Sequence, residues 1–245
     1  MIHTADWYVL FVFGCSLLGL LVSGVLFFAN KDAPFPAKML AGFLTSLSLV
    51  GLNNALMATD FFRHLPHLWR VVAFASFLPP AFSYLYLRSV LKQEFRFRKN
   101  DWLFFLPSAI YVATMLPFYL QPAHEKLELI ARIIQNNDLI AQEPENLVPN
   151  GIFSVVRITY GLFTSVAMAV LLTKGRRSID NEAVHLGENL PMYRWLVSLT
   201  IAVGTLYSLV TFITFSHLTH LISLWELMAF CISITVLFVC VSLLA

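Results

Sequence analysis

Two pairs of histidines have the residue type and spacing that would suit a metal ion or a proton. His64 and His67 stand in the motif HLPH, and His217 and His220 stand in HLTH. Neutral imidazole is a good zinc ligand, and together with Asp60 these histidines form a candidate zinc site. Such a site would make the chain an intramembrane zinc-dependent hydrolase, whereas protonation of the same imidazoles would make them a pH sensor. The spacing is not the HExxH pattern of helical zinc proteases, so metal binding is the alternative hypothesis.

A second group of polar and ionisable residues lies within apolar stretches. An ionisable side chain in such a stretch suggests function, because its desolvation requires a partner or a water-filled cavity. Arg157 and Glu226 are predicted at similar depth, so they are expected either to face each other in the bundle interior or to pair structurally and reach the interface. The predicted ligand-binding pocket is lined by Asn53, Asn54, Asp60, Arg157, Tyr160, Tyr207 and Glu226.

The sequence lacks the motifs that mark common catalytic centres. It contains no glycine-rich phosphate loop, nucleophile elbow or paired-carboxylate arrangement. A retinal protein would need a lysine in the last apolar run, and residues 221–245 contain none. The cysteines, Cys15, Cys231 and Cys240, lie inside apolar runs, where they are typical of small buried hydrophobes. We therefore predict no enzyme activity and no cofactor.

The composition identifies the elements that must position these residues. Hydrophobic residues make up 58% of the chain and charged residues 12%, which is more apolar surface than a soluble domain of this length can bury. A helix needs about 20 mostly apolar residues to cross the hydrocarbon core. The sequence therefore predicts an all-α integral membrane protein, a bundle of seven transmembrane helices. The predicted spans are residues 7–28, 37–61, 68–91, 102–120, 152–172, 192–215 and 221–245.

The distribution of basic residues predicts the orientation, because cytoplasmic loops are enriched in lysine and arginine. One side of the predicted bundle holds the larger set: Lys31, Lys38, Arg88, Lys92, Arg96, Arg98, Lys99, Lys174, Arg176, Arg177 and Arg194. The other side holds Arg63, Arg70, Lys126, Arg132 and Arg157. The first side is thus predicted to be cytoplasmic, which puts the N-terminus outside, the C-terminus in the cytoplasm, and the long loop 121–151 outside. The basic segments KQEFRFRKN and TKGRRSID suit contact with anionic lipid headgroups.

Two local patterns predict further structure. The stretch HEKLELIARIIQ in the long loop has apolar residues at helical spacing, which favours an amphipathic helix along the membrane surface. Pro79 and Pro80 fall in the middle of the third run, and Pro107 and Pro117 fall in the fourth. Because proline removes a backbone donor, we expect kinks at these positions.

The segment from Ser76 to Leu120, which contains YLYLRSVL, a basic turn, DWLFFLPS and LPFYL, resembles the N-terminal multi-helix membrane domain of bacterial AraC-type membrane-bound transcription regulators. The sequence YRWLVSL is a weaker match to the same family. The resemblance implies a multi-pass protein of the bacterial inner membrane that senses an external or lipid-phase signal and passes it to a cytoplasmic helix-turn-helix domain.

The partners that follow from this resemblance are membrane lipids and a small ligand of unknown identity. The DNA-binding region of the family would follow Ala245, so DNA would be bound only through a C-terminal domain that this sequence lacks. The last apolar run ends without cytoplasmic anchor residues, which favours a longer native chain. A homodimer is left open.

Overall fold

A computed structural model describes residues 4–29, 34–57, 59, 61–135, 148, 150–181, 186–215 and 224–244. Over these residues the chain forms helices and no strand. The α-helices are α1 Thr4–Ala29, α2 Pro34–Met57, α3 Phe61–His64, α4 Leu78–Lys92, α5 Leu106–Tyr119, α6 Ala123–Gln135, α7 Asn150–Asn181, α8 Leu186–Phe215 and α9 Leu224–Leu244. Three short 3₁₀ helices cover Pro66–Leu68, Ala73–Phe77 and Asp101–Phe105.

Six of the described helical stretches are long and apolar enough to cross a membrane. They are Trp7–Ala29, Phe35–Met57, Pro66–Lys92, Asp101–Tyr119, Gly151–Gly175 and Pro191–Phe215. Large apolar side chains cover their outer faces; Leu21 and Phe163, for example, are each 70% exposed. Such a surface suits lipid rather than water as its solvent. The prediction of an all-helical, multi-pass membrane protein is therefore confirmed.

Helix α2 lies at the centre of the bundle and packs against α1, α4 and α9. Helix α7 packs against α4 and α8, and α8 in turn packs against α9. Gly19 marks the place where α1, α2 and α9 meet, because a Cβ atom there would overlap Ser48 Oγ and lie 2.6 Å from Val236 Cγ1. Small residues at helix contacts let the backbones approach closely, which is how helices associate in membranes.

The prolines of the third and fourth runs begin helices instead of interrupting them. Pro79 and Pro80 lie in the first turn of α4, and Pro107 lies in the first turn of α5. The first-turn amides of a helix have no intrahelical acceptor, so a proline there costs no hydrogen bond. The prediction of mid-helix kinks at these three residues is therefore wrong; Pro117 does lie inside α5.

The segment before α4 is correspondingly irregular. Between α3 and α4 the chain forms two 3₁₀ helices separated by a turn, and Arg70 in that turn has a φ of 64°. Its aromatic residues pack with α6, whose buried face includes Leu129, Ile130 and Ile133. The amphipathic helix predicted in the long loop is thus present. Its apolar face covers the turn that precedes α4.

Candidate functional site

A cavity of about 370 Å³ lies at the end of the bundle where α2 and α8 end and α7 and α9 begin. This volume falls within the range of about 300–1,000 Å³ typical of small-molecule pockets. Its wall is formed by residues from helices α2, α5, α7, α8 and α9 and by residues from the segment around the start of α4. They are Leu47, Val50, Asn54, Arg70, Ser76, Pro79, Tyr111, Gly151, Phe153, Ser154, Val155, Arg157, Ile158, Leu206, Tyr207, Val210, Thr214, Phe215, Met228 and Ile232.

Arg157 reaches the cavity from the second turn of α7, where the sequence predicted an intramembrane cation. Its guanidinium carbon lies 5.1 Å from the ring centroid of Phe77. An arginine over an aromatic face gains a cation–π attraction, but this contact does not satisfy the N–H donors. The Nε atom of Arg157 is buried and has no hydrogen-bond partner among the described residues. The cavity wall therefore includes a strong donor that no described residue satisfies.

Arg70 is a second cation in the cavity wall, and the sequence analysis did not place it in the pocket. The residue is 7% exposed, and its carbonyl oxygen accepts a hydrogen bond of 3.2 Å from the Tyr119 hydroxyl. Its guanidinium carbon lies 5.7 Å from the Trp69 ring centroid. The sequence feature that indicates it is position: Arg70 lies two residues after residue 68, where the predicted third span begins.

Tyr207 enters the cavity because α7 presents a glycine to it. A Cβ atom on Gly161 would overlap the Tyr207 ring, with 2.5 Å to its Cγ atom. Tyr207 is 6% exposed and belongs to the main hydrophobic core as well as to the cavity wall. This contact between α7 and α8 therefore fixes one wall of the cavity.

The other predicted ligand-binding residues have different positions. Asn54 lines the cavity, but the buried Asn53 does not. Tyr160 also lies away from it, and its hydroxyl donates a hydrogen bond of 2.8 Å to the Phe104 carbonyl, which ties α7 to the start of the fourth apolar stretch. Asp60 and the side chain of Glu226 lie outside the described residues. The predicted pairing of Arg157 with Glu226 therefore stays a prediction.

The predicted metal ligands do not assemble within the part of the chain that the structure describes. That part contains no group of three or more histidine, cysteine, aspartate or glutamate side chains that could hold a metal ion. His64 is exposed, and the Nδ1 atom of the exposed His67 lies 3.2 Å from the Nζ atom of Lys126. The remaining members of the predicted site, Asp60, His217 and His220, lie outside the described residues.

A buried ion pair lies away from the cavity, at the connection 93–100 between α4 and the next 3₁₀ helix. Arg88 donates from Nη1 to Asp101 Oδ1 over 2.6 Å and from Nη2 to Oδ2 over 2.5 Å. The backbone amide of Arg98 donates to the same carboxylate over 2.7 Å. This pair lies in the segment that carries the family resemblance, between YLYLRSVL and DWLFFLPS. In the sequence, Arg88 is distinguished only as one of the basic residues on the predicted cytoplasmic side.

The described wall of the cavity is rich in hydrogen-bond donors. Its wall holds two guanidinium groups, two phenols, one amide and small hydroxyls, and no carboxylate among the lining residues that the structure describes. These groups donate hydrogen bonds and attract negative charge. The described lining also includes no histidine or cysteine that would serve as a general base or a nucleophile.

Comparison with known proteins adds no relative: no protein-family model, no curated protein and no solved structure matches this chain.

Proposed function

We propose that the chain is a membrane-embedded signal-sensing domain of a bacterial transcription regulator. The cavity binds a small molecule from outside the cell or from the lipid phase. Helix α9 then passes the resulting shift to a cytoplasmic helix-turn-helix output domain. The observation that carries this proposal is the cavity itself, which combines an apolar wall with the buried Nε of Arg157, an atom without a hydrogen-bond partner in the described part of the chain. Convergent polar groups in an apolar cavity are the usual mark of a ligand site.

Helix α9 is suited to transmit the signal because it spans from the cavity to the opposite end of the bundle. Met228 and Ile232 line the cavity, and the helix continues to Leu244. Its 21 residues correspond to a length of about 30 Å, which is enough to cross the membrane. Counting α9 as the seventh span, the proposed topology has the N-terminus outside and the C-terminus in the cytoplasm of a bacterial inner membrane. The unequal distribution of lysine and arginine supports that orientation.

Native mass spectrometry tests whether the cavity holds a small molecule. The purified chain is incubated with a total lipid and medium extract of its host, and the spectrum is searched for a constant mass excess. We expect the excess in the wild-type protein and its loss in the cavity-filling variants Val50→Trp and Val210→Trp. The matched control is Val241→Trp, at a position on α9 that is 55% exposed. Equal spectra for the filled and control variants would contradict the proposal.

The same spectra separate this function from a zinc hydrolase. A zinc-sized mass increment that a chelator removes would favour the hydrolase, whereas an organic mass excess that resists the chelator supports the sensor.

The regulator part of the proposal rests on the resemblance and has its own test. We expect the native polypeptide, isolated from its host, to be heavier than the 27.7 kDa of this chain and to continue into a basic helix-turn-helix region. An intact mass equal to that of this chain would remove the output domain and leave a receptor that acts through a separate partner.

A further inference from the structure

We propose that the ligand of the cavity is a single-chain amphiphile with a carboxylate head, which binds at Arg157. This inference rests on the proposed function and specifies the chemical class of the ligand. Its basis is the buried Nε of Arg157, which has no hydrogen-bond partner among the described residues, at a cavity lined mainly by apolar side chains.

The charge of the cavity favours an anion. Coulomb interactions are strong in a low-dielectric interior, so the buried guanidinium of Arg157 favours a negative charge beside it. Arginine presents its N–H donors in a planar fork that matches a carboxylate. The buried Nε of Arg157 has no partner among the described residues, and a carboxylate that reaches the guanidinium would satisfy it. A bound carboxylate would supply both the acceptor and the counter-charge.

The rest of the cavity favours an apolar tail. Aliphatic side chains from four helices form much of its wall: Leu47, Val50, Ile158, Leu206, Val210 and Ile232. Burial of an alkyl chain against such a wall removes apolar surface from water, and each methylene adds to the binding free energy. The volume of about 370 Å³ is at the small end of ligand pockets. It suits one medium-length chain, and the second chain of a phospholipid would have to lie outside.

Competition binding tests the head group directly. Radiolabelled decanoate is bound to the detergent-solubilised chain and displaced with unlabelled decanoate, decanol or phosphatidylglycerol. We expect decanoate to compete at least about tenfold better than decanol, because only the acid accepts charge-assisted hydrogen bonds. Absence of decanoate binding, or equal competition by decanol, would overturn the inference. Displacement by phosphatidylglycerol as effective as that by decanoate would also overturn it, because the site would then bind a lipid headgroup.

Two variants of Arg157 locate the interaction. Arg157→Gln removes the charge but keeps a hydrogen-bond donor, and we expect it to lose most of the preference for decanoate over decanol. Arg157→Lys keeps a point charge without the fork, so partial recovery of the preference is expected. A preference for decanoate that is unchanged in Arg157→Gln would overturn the assignment.

These outcomes are distinct from a failure of the proposed function. If the native spectrum shows an organic ligand in the cavity while decanoate does not bind, the sensor proposal stands and the carboxylate inference falls. If cavity-filling variants leave the native ligand in place, the sensor proposal falls as well.

Discussion

Arg88 and Asp101 form a bidentate ion pair across the connection between α4 and the following 3₁₀ helix. Both residues are buried, with exposures of 4% and 2%. Helix α4 ends just before this connection because Gln93 adopts a left-handed conformation with a φ of 51°, and its amide donates to the Ser89 carbonyl. The ion pair therefore fixes the angle at which the chain turns back into the bundle.

Loss of the Asp101 charge is expected to destabilise the protein strongly. Asp101→Asn keeps the shape of the side chain but leaves the buried Arg88 guanidinium without its main counter-charge. Breaking one side of a buried pair costs about 3–5 kcal/mol. The free energy of unfolding, measured by denaturant titration in mixed micelles, should fall by an amount of this order.

The exposed arginine of the same connection provides the control for this experiment. Arg98 is 55% exposed at its side chain and pairs with Glu94. The backbone amide of residue 98 still donates to Asp101 in Arg98→Gln. The free energy of unfolding should therefore fall by less than about 1 kcal/mol. If Asp101→Asn and Arg98→Gln lowered the free energy of unfolding equally, the prediction that the buried pair stabilises the fold would be contradicted.

The contact of Gly161 with Tyr207 predicts a sharp steric effect. In Gly161→Ala the new methyl group overlaps the Tyr207 ring, so α7 and α8 must separate or the ring must leave its place in the cavity wall. Such overpacking typically costs about 1–3 kcal/mol. We expect lower thermal stability and weaker binding of the cavity ligand.

Gly204, which lies on α8, provides the control for the Gly161→Ala variant. The nearest atom to a Cβ on Gly204 is the Ser165 Cβ at 4.0 Å, which is ordinary van der Waals contact. Gly204→Ala should therefore be neutral or slightly stabilising, because alanine favours helix over glycine. A Gly161→Ala protein with the stability and ligand binding of Gly204→Ala would contradict the packing described for this wall.

The buried Lys126 gives the stability a pH dependence. Lys126 is 1% exposed, and its ammonium donates to the Tyr119 carbonyl over 3.0 Å and lies 3.2 Å from His67 Nδ1. Burial lowers the pKa of this lysine below its ordinary value of 10.5. Between the lowered pKa and the ordinary value, the unfolded chain holds a proton that the folded chain has released. The free energy of unfolding therefore rises with pH across this window.

The variant Lys126→Met tests this assignment. We expect the rise in the free energy of unfolding as the pH increases toward 10.5, the ordinary pKa of lysine, to be smaller in Lys126→Met than in the wild-type protein. Denaturant titrations at several pH values measure both slopes. Lys99→Met, which changes an exposed lysine, should keep the wild-type slope, and a slope that Lys126→Met leaves unchanged would contradict the assignment.

The helices and part of the cavity could be predicted from the sequence. Apolar runs of membrane-spanning length leave no other solvent than lipid, so the bundle follows from composition. Arg157 could be predicted for the same reason, because an arginine inside such a run requires an interior environment. Asn54 and Tyr207, which were predicted with it, also line the cavity.

The remaining features depend on backbone geometry that the composition does not reveal. Arg70 reaches the cavity through a left-handed turn between two 3₁₀ helices, whereas the apolar pattern favoured one continuous helix there. From the sequence, Pro79 and Pro107 are expected to interrupt helices, because the starts of α4 and α5 lie within the apolar runs and not at their edges. The partner of Arg88 is 13 residues away, and the connection that brings Asp101 to it has no distinctive motif.

The most direct test of the sensing account is the movement of α9 on ligand binding. Spin labels are attached through Lys92→Cys at the end of α4 and Val241→Cys on α9, with the native cysteines replaced by alanine. A control pair, Lys38→Cys with Lys92→Cys, reports on α2 and α4 alone; all three labelled positions are exposed. Electron paramagnetic resonance measures both distances without decanoate and at a decanoate concentration that saturates binding.

The account predicts that saturation with decanoate changes the distance between the labels on α4 and α9 while the control distance stays constant, because the proposed function assigns the shift to α9. Identical distances with and without bound decanoate in both pairs would contradict it, since a ligand that moves no helix transmits no signal.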